Sequence, residues 1–344
     1  MARKILPPIL LLAISLCLPV FATAGVYSSD FPDACPVLTD DGICFSNYND
    51  VLENYVVDEG MTDDASLNDA ALEKEKGGLL DSRWELETKK GLFQIRPYKP
   101  VYISPFSWAN KRNTMPATPN PDTTVTQPQD LNRVEVDIQL SMKFKMAEGL
   151  FGKNVDLWGA YTQSSRWQAY NNRDSRPFRE TNYEPEVLLV AATDYSVLGW
   201  RGRMLGIGLN HQSNGRSIPL SRSWNRAILF AGFERDDWAI TMRVWRCIDG
   251  TKGRSDNPDL PDYMGRFDVT VVRVMGNHQF SIMAKHSLRT GKRSHGAAQF
   301  EWAFPIRAPL RGRLRIFHGY GENLVDYNFK ATWISMGISL VEWF

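Results

Sequence analysis

The sequence predicts an all-β protein: a twelve-stranded antiparallel transmembrane β-barrel with an N-terminal periplasmic extension. Three observations carry this. First, Val134–Met146 alternates strictly. Val134, Val136, Ile138, Leu140, Met142, Phe144 and Met146 fall on one face, and Glu135, Asp137, Gln139, Ser141, Lys143 and Lys145 on the other. Residues two apart share a face of a strand, and this run exceeds the usual strand of about five or six residues. Second, twelve candidate strands follow Gly91, and their connections alternate between longer, polar segments and short ones. Membrane barrels of bacteria have an even strand count, long extracellular loops and short periplasmic turns. Third, the N-terminus reads as a secretory leader, and no apolar stretch of about 18 residues follows it, so no transmembrane helix is expected. A transmembrane strand needs only about 9–11 residues, so a mean hydropathy of −0.33 is compatible with a barrel.

Residues 1–24 form the expected signal peptide. Arg3 and Lys4 are its basic start, Ile5 to about Val20 its apolar run, and Ala22-Thr23-Ala24 its cleavage site. Cys17 raises a lipoprotein reading, against which stands the large Leu16 before it. Residues 25–90 are rich in Asp, Asn and Glu, with a helical patch around Asp69–Leu80. They read as the periplasmic extension. Cys35 and Cys44 are close enough in sequence for a small disulfide loop in an oxidising compartment. Cys247 reads as a packing residue, and no Cys/His spacing fits zinc.

Residues 91–344 form the barrel. Its strands are expected at 91–104, 132–147, 154–168, 184–196, 201–214, 222–233, 236–248, 263–274, 277–288, 295–304, 310–320 and 329–344. Pro105–Leu131, dense in Pro, Asn and Thr, is the longest expected loop. The last strand carries Ile334, Met336, Ile338, Leu340 and Phe344 in phase and ends on an aromatic, as membrane barrels commonly do. A formal charge of +1 gives no reason to expect a nucleic-acid partner.

His211, Ser213 and Asn225 carry the chemistry. His211 and Ser213 are two apart on a strand, so they share a face. A hairpin centred on Ile218 sets His211 opposite Asn225, at the roughly 4.5–5.5 Å between opposed Cβ atoms. One hairpin can then supply nucleophile, base and orienting group. The pair continues the row Leu205, Ile207, Leu209, whereas Met204, Gly206, Gly208, Asn210 and Gln212 suit a lumen wall. A nucleophile on the outer wall faces lipid, which points to a lipid ester. A lone His-x-Ser is most often two polar residues at a strand end; three groups in register alter that balance. The G-x-S-x-G elbow is absent, which argues against an α/β-hydrolase.

The run Asn210-His211-Gln212-Ser213-Asn214-Gly215-Arg216-Ser217, with Ser221-Arg222-Ser223-Trp224-Asn225-Arg226, resembles the outer membrane phospholipase A family. So do Tyr161-Thr162-Gln163, Pro177–Pro185, Asp256-Asn257-Pro258-Asp259, Tyr263-Met264-Gly265, Gly319–Glu322 and Asp326–Phe329. The resemblance spans about 132–344 and leaves 25–90 uncovered. It implies a calcium-dependent phospholipase of the outer membrane, active as a homodimer on glycerophospholipids and lysophospholipids, with its site toward the outer leaflet. It implies Ser213 as nucleophile, His211 as base, Asn225 as the group holding the His tautomer, and the Gly215 amide at the oxyanion. Calcium contacts would come from the Arg216 carbonyl, Ser221 and, across the dimer, Ser175, with a weaker site at Asp256. Gln163, on a lipid-facing row, would contact the other subunit. Gln212 and Ile218 are neutral where the resemblance leads one to expect acids. Two other classes remain open from the residues: a pore or structural barrel without catalysis, and a lipid A deacylase.

Overall fold

The computed structural model describes residues 78–87, 90–151, 154–248 and 257–344, with the backbone of Val37–Leu38 and Cys44–Phe45. The leader, the pairing of Cys35 with Cys44, and Asp256 lie outside the described residues. The chain divides into two compact units, Met1–Ser66 and Leu67–Phe344. In the first, Val37–Leu38 pairs antiparallel with Cys44–Phe45. The second is the barrel.

Its strands are β1 Val101–Ala109, β2 Val134–Leu150, β3 Val155–Trp167, β4 Phe178–Val197, β5 Trp200–Ser213, β6 Ser223–Arg235, β7 Trp238–Cys247, β8 Phe267–Met275, β9 His278–His286, β10 Gly296–Arg307, β11 Leu310–Gly319 and β12 Ala331–Val341. Each pairs antiparallel with its neighbours in sequence, and β12 closes onto β1. Closure removes the sheet edges that lipid could not satisfy. The connections 110–133, 168–177, 214–222, 248–266, 287–295 and 320–330 are the long ones, at one end. The opposite end has the short turns 151–154, 198–199, 236–237, 276–277 and 308–309. The alternation expected from the sequence holds.

Besides the fourth strand, which starts at Phe178 where 184 was expected, three boundaries differ from expectation by more than a few residues. The first strand was expected at 91–104. Phe93 N–H does donate to the Lys145 carbonyl at 2.9 Å, and Arg96–Pro97 pairs with β2, but regular pairing lapses over 98–100. Pro97 and Pro100 have no N–H to give the ladder. β1 then runs through Pro105, with a register shift between Ser104 and Ser107, a bulge that accommodates a proline. The long loop therefore starts at 110. The eighth strand was expected from 263. Leu260–Met264 is instead a helical turn, with Pro261 at its start and Gly265 at φ 98° behind it. Finally, helix 78–84, counted with the extension in the sequence reading, lies inside the barrel. Leu79, Leu80 and Trp84 pack against Trp158, Leu188, Met204 and Phe230. Leu80 N–H donates to Glu234 at 2.9 Å, beside the turn 236–237, so the helix fills the short-turn end.

The rest of the lumen is packed with paired charges. Arg179 bridges Glu135 at 2.9 Å and Asp326 at 2.6 Å. Arg166 meets Asp137 at 2.7 Å, and Arg226 meets Glu184 at 2.7 Å. Buried ions need such partners, since each one's desolvation costs several kcal/mol. A polar cavity of about 220 Å³ remains among them, lined by groups including Lys99, Gln212, Arg226, Lys285 and Glu322. Cys247 packs against the core.

Candidate active site

β5 sorts its side chains by parity. Leu205, Ile207 and Leu209 are 42%, 55% and 49% exposed, whereas Met204, Gly206 and Asn210 are buried in the lumen. His211 and Ser213 continue the outward row past its apolar part. The β5–β6 ladder sets His211 opposite Asn225 and Ser213 opposite Ser223. His211 Nδ1 and Asn225 Oδ1 lie 2.7 Å apart. The amide oxygen can only accept, so Nδ1 carries the proton and Nε2 keeps its lone pair. No hydrogen bond joins Ser213 Oγ to the ring among the described residues. Such contacts often tighten only when substrate is in place.

The ladder between β4 and β5 pairs Tyr183 with Ser213 and Glu186 with Asn210, and lapses between them. Pro185 stands there and has no N–H to offer. On its other side β4 pairs Tyr183 with Gln163 of β3. Gln163, Tyr183 and Ser213 therefore lie along one cross-strand row of the outer wall. Gln163 Oε1 accepts from the Tyr161 hydroxyl at 3.0 Å.

Beyond Ser213 the loop 214–222 turns sharply. Gly215 sits at φ 61°, and a Cβ there would come within 3.1 Å of the Tyr183 ring. Only glycine meets both demands without strain. Arg216 and Ser221 lie on the same loop. Arg216 Nη1 points back to the Phe178 and Arg179 carbonyls at 3.4 and 3.3 Å. Ser175, at φ 54°, is exposed on the neighbouring loop 168–177. Among the described residues no three His, Cys, Asp or Glu side chains gather as a metal cluster. A hard cation here would depend on hydroxyl, carbonyl and water oxygens, which calcium accepts. The Ser221 hydroxyl, engaged by no hydrogen bond among the described residues, fits that donor set. Gln212 does not belong to this face. It points into the lumen, and its Oε1 accepts from Trp224 Nε1 at 2.8 Å. Ile218 is exposed at the loop tip.

Two residues quoted in the sequence motif without a role turn out to hold this loop. Asn214, buried between Ser213 and Gly215, donates from Nδ2 to the Leu220 carbonyl at 2.8 Å and to Glu180 at 3.2 Å. Its Oδ1 accepts from Arg222 N–H at 2.9 Å and Arg216 N–H at 3.3 Å. Arg222, fully buried, donates to the Pro219, Ser221 and Thr123 carbonyls at 3.0, 2.8 and 3.0 Å. Burial pushes its guanidinium below the ordinary value, opposed by Tyr327 and Glu180. The signal available in sequence was an Asn between Ser213 and Gly215, a residue type that bonds its own backbone in turns.

A second His/Ser pair fails the same scrutiny. His286 Nε2 is 3.2 Å from Ser294 Oγ, but Leu288 N–H donates to Nδ1 at 3.1 Å. Nε2 then carries the proton and cannot take one from serine. His318 bonds Thr332 at 2.8 Å, and His295 Nδ1 lies 3.1 Å from the Asp262 carbonyl.

A family model described as phospholipase A1 matches residues 80–340. The phospholipase A1 of Klebsiella pneumoniae is 35% identical over 284 residues, covering 83% of this chain and 94% of that protein. Among solved structures, a Salmonella typhi outer membrane phospholipase dimer with bound calcium is 33% identical. It covers 74% of this chain and 95% of that one, with a TM-score of 0.66. An active-site asparagine-to-alanine variant of outer membrane phospholipase A from Escherichia coli is 32% identical. It covers 78% of this chain and 100% of that one, with a TM-score of 0.67. The fold, the outward His–Ser–Asn hairpin and these likenesses agree: the chain belongs to the phospholipase A1 family.

Proposed function

We propose that Ser213, His211 and Asn225 form the catalytic triad of this outer-membrane phospholipase, with the Gly215 amide at the oxyanion. The protein is an ester hydrolase of the outer membrane that uses calcium and works on phospholipids as a homodimer. The observation that carries the triad is the 2.7 Å contact between His211 and Asn225 on the wall that faces lipid, with Ser213 two residues on. The active-site asparagine of the Escherichia coli enzyme supports the same role for Asn225.

In this reading Nε2 of His211 takes the Ser213 proton as Oγ attacks the acyl carbonyl of a glycerophospholipid. The carbonyl π bond breaks, and the oxyanion that forms meets the Gly215 N–H. His211 returns the proton to the departing glycerol oxygen, leaving an acyl-Ser213 ester and a lysophospholipid. Water, deprotonated by the same nitrogen, attacks the ester; the acyl–Oγ bond breaks, His211 returns the proton to Ser213 Oγ, and fatty acid leaves. Asn225 orients the ring throughout but is neutral, so it adds no charge to stabilise the imidazolium. The Arg216 carbonyl and Ser221, with Ser175 from the other subunit, would hold calcium, which supplies positive charge at the developing oxyanion. Asp256 is the candidate for a weaker calcium contact. Gln163 would contact the partner subunit, because a polar group on a lipid-facing row is costly unless paired.

A pore is the less favoured reading, because ion pairs and helix 78–84 fill the lumen. The test is phospholipid hydrolysis by purified barrel with and without calcium, on wild type and Ser213→Ala. Turnover should need calcium and vanish with Ser213→Ala; wild-type rates from the variant would sink the assignment. Gln163→Ala should lower the yield of calcium-dependent crosslinked dimer in detergent while the barrel's heat-modifiable migration stays intact. An unchanged dimer yield would remove Gln163 from the interface.

A further inference from the structure

Arg246 stands where an arginine is out of place. It is on β7 with Met242 and Val244 in phase, all exposed on the outer wall. Its cross-strand partner is Ala227, and Ala227 faces Leu209 on the far side. Val244, Leu229 and Ile248 complete an apolar surround, each more than 40% exposed. Among the described residues no ion pair or hydrogen bond reaches the Arg246 guanidinium. A cation on a lipid-facing wall, without a partner among the described residues, carries a depth-dependent cost that a local anion removes.

The position is as telling as the charge. Ala227 is two residues from Asn225 on the same face of β6, so Arg246 is a diagonal neighbour of Asn225, about 7–8 Å away across the ladder. Ile248 N–H donates to the Asn225 carbonyl at 3.0 Å, tying β7 to the catalytic hairpin just beyond Arg246. A flexible stem lets the guanidinium rise from the apolar wall toward the polar interface. The anion that every glycerophospholipid carries is its phosphodiester, and guanidinium binds phosphate in a bidentate fork.

We propose that Arg246 is the phosphate-binding residue of the substrate site, taking the phosphodiester of the glycerophospholipid whose acyl ester lies at Ser213. The proposal rests on the reading of Ser213 as nucleophile. Loss of Arg246 should therefore weaken turnover of phosphate-bearing esters more than of neutral ones. The same chemistry could come from a phosphate on a neighbouring lipid, so the experiment separates the two.

Wild type, Arg246→Met and Arg246→Lys are assayed at saturating calcium in nonionic, phosphate-free micelles. The substrates are phosphatidylglycerol and, separately, a diacylglycerol with the same acyl chains. Arg246→Met should lower kcat/KM on phosphatidylglycerol by about tenfold to a hundredfold, the range for one charged hydrogen-bonded contact. Activity on diacylglycerol should stay within about threefold, and Arg246→Lys should recover part of the loss. Labelling of Ser213 by a sulfonyl fluoride should be equal in all three, which shows that the site is folded. Equal losses on both esters, or none on either, overturn the proposal. An effect seen only when other phosphate lipids are added assigns Arg246 to a neighbouring lipid and also overturns it. Failure of wild type to hydrolyse either ester would instead overturn the nucleophile assignment.

Discussion

His211 and Ser213, the base and nucleophile of the proposed triad, face away from the protein's own polar interior. One residue earlier or later, a side chain on β5 enters the lumen: Asn210 is held by Arg226 and Glu184 at 2.9 Å each, and Gln212 by Trp224. Parity alone therefore made the site legible in the sequence, since an outward row of Leu205, Ile207 and Leu209 predicts where 211 and 213 point. The same rule sets Gln212 on the lumen wall, as the alternation predicts. An inward side chain tunes the lumen, not a cation on the outer face. At this scale His211→Ala should remove nearly all turnover. Asn225→Ala should leave measurable activity, because base and nucleophile remain while orientation is lost. Gly215→Ala should cost about a hundredfold in kcat, the order seen when an oxyanion donor is lost. It forces a left-handed backbone onto a residue with a Cβ and presses that Cβ against Tyr183. Single-turnover acylation of Ser213 is the measurement, and a Gly215→Ala rate within about threefold of wild type would refute the role given to that amide.

The loop 214–222 follows the proposed nucleophile and carries the proposed oxyanion donor and two of the proposed cation ligands, and it has little regular structure to hold it. Its rigidity comes from Asn214, which spans residues 216, 220 and 222 by side-chain bonds, and from Arg222, which ties it to the loop 110–133. Glu180 backs Asn214 and also accepts from Val325 N–H at 3.0 Å, so a third loop joins the clamp. None of this was readable as function. The hairpin register followed from two residue numbers, but the partners Thr123, Glu180 and Val325 come from strands and loops distant in sequence. Asn214→Ala should keep the barrel folded, since Asn214 sits past the end of β5. It should lower kcat at least about tenfold and weaken calcium binding, because Gly215, Arg216 and Ser221 lose their common anchor. Calorimetric calcium titration beside the kinetics distinguishes this from general damage. Unchanged affinity with unchanged kcat would show that the backbone alone holds the loop.

Across the whole molecule, strand count and loop alternation were legible because period two is clear in strands such as β2 and β5 and polar connections separate them. The filling of the lumen was not, because charges that look like a solvated face in one strand find partners in another. Helix 78–84 is the clearest case: it falls in the segment expected as a periplasmic extension, yet its apolar residues close the barrel's short-turn end. Trp84 stacks on Phe230 with ring centroids 6.1 Å apart and meets Trp158 edge-on at 5.9 Å. Lys143, wholly buried, has its Nζ 3.3 Å from the Trp84 ring centroid and no hydrogen-bond partner among the described residues. The indole thus performs two tasks, filling volume and compensating a buried cation. Trp84→Ala should cost roughly 3–5 kcal/mol by loss of packing, and it strands the Lys143 ammonium as well. Lys143→Met alone should be close to neutral, because an apolar isostere needs no compensation. Combined, the two changes should be less harmful than their sum, by an interaction energy of about 0.5–3 kcal/mol. Reversible urea unfolding in lipid vesicles measures all four corners of the cycle. Strict additivity would mean that Trp84 merely fills space, and the ammonium is compensated from elsewhere in the lumen.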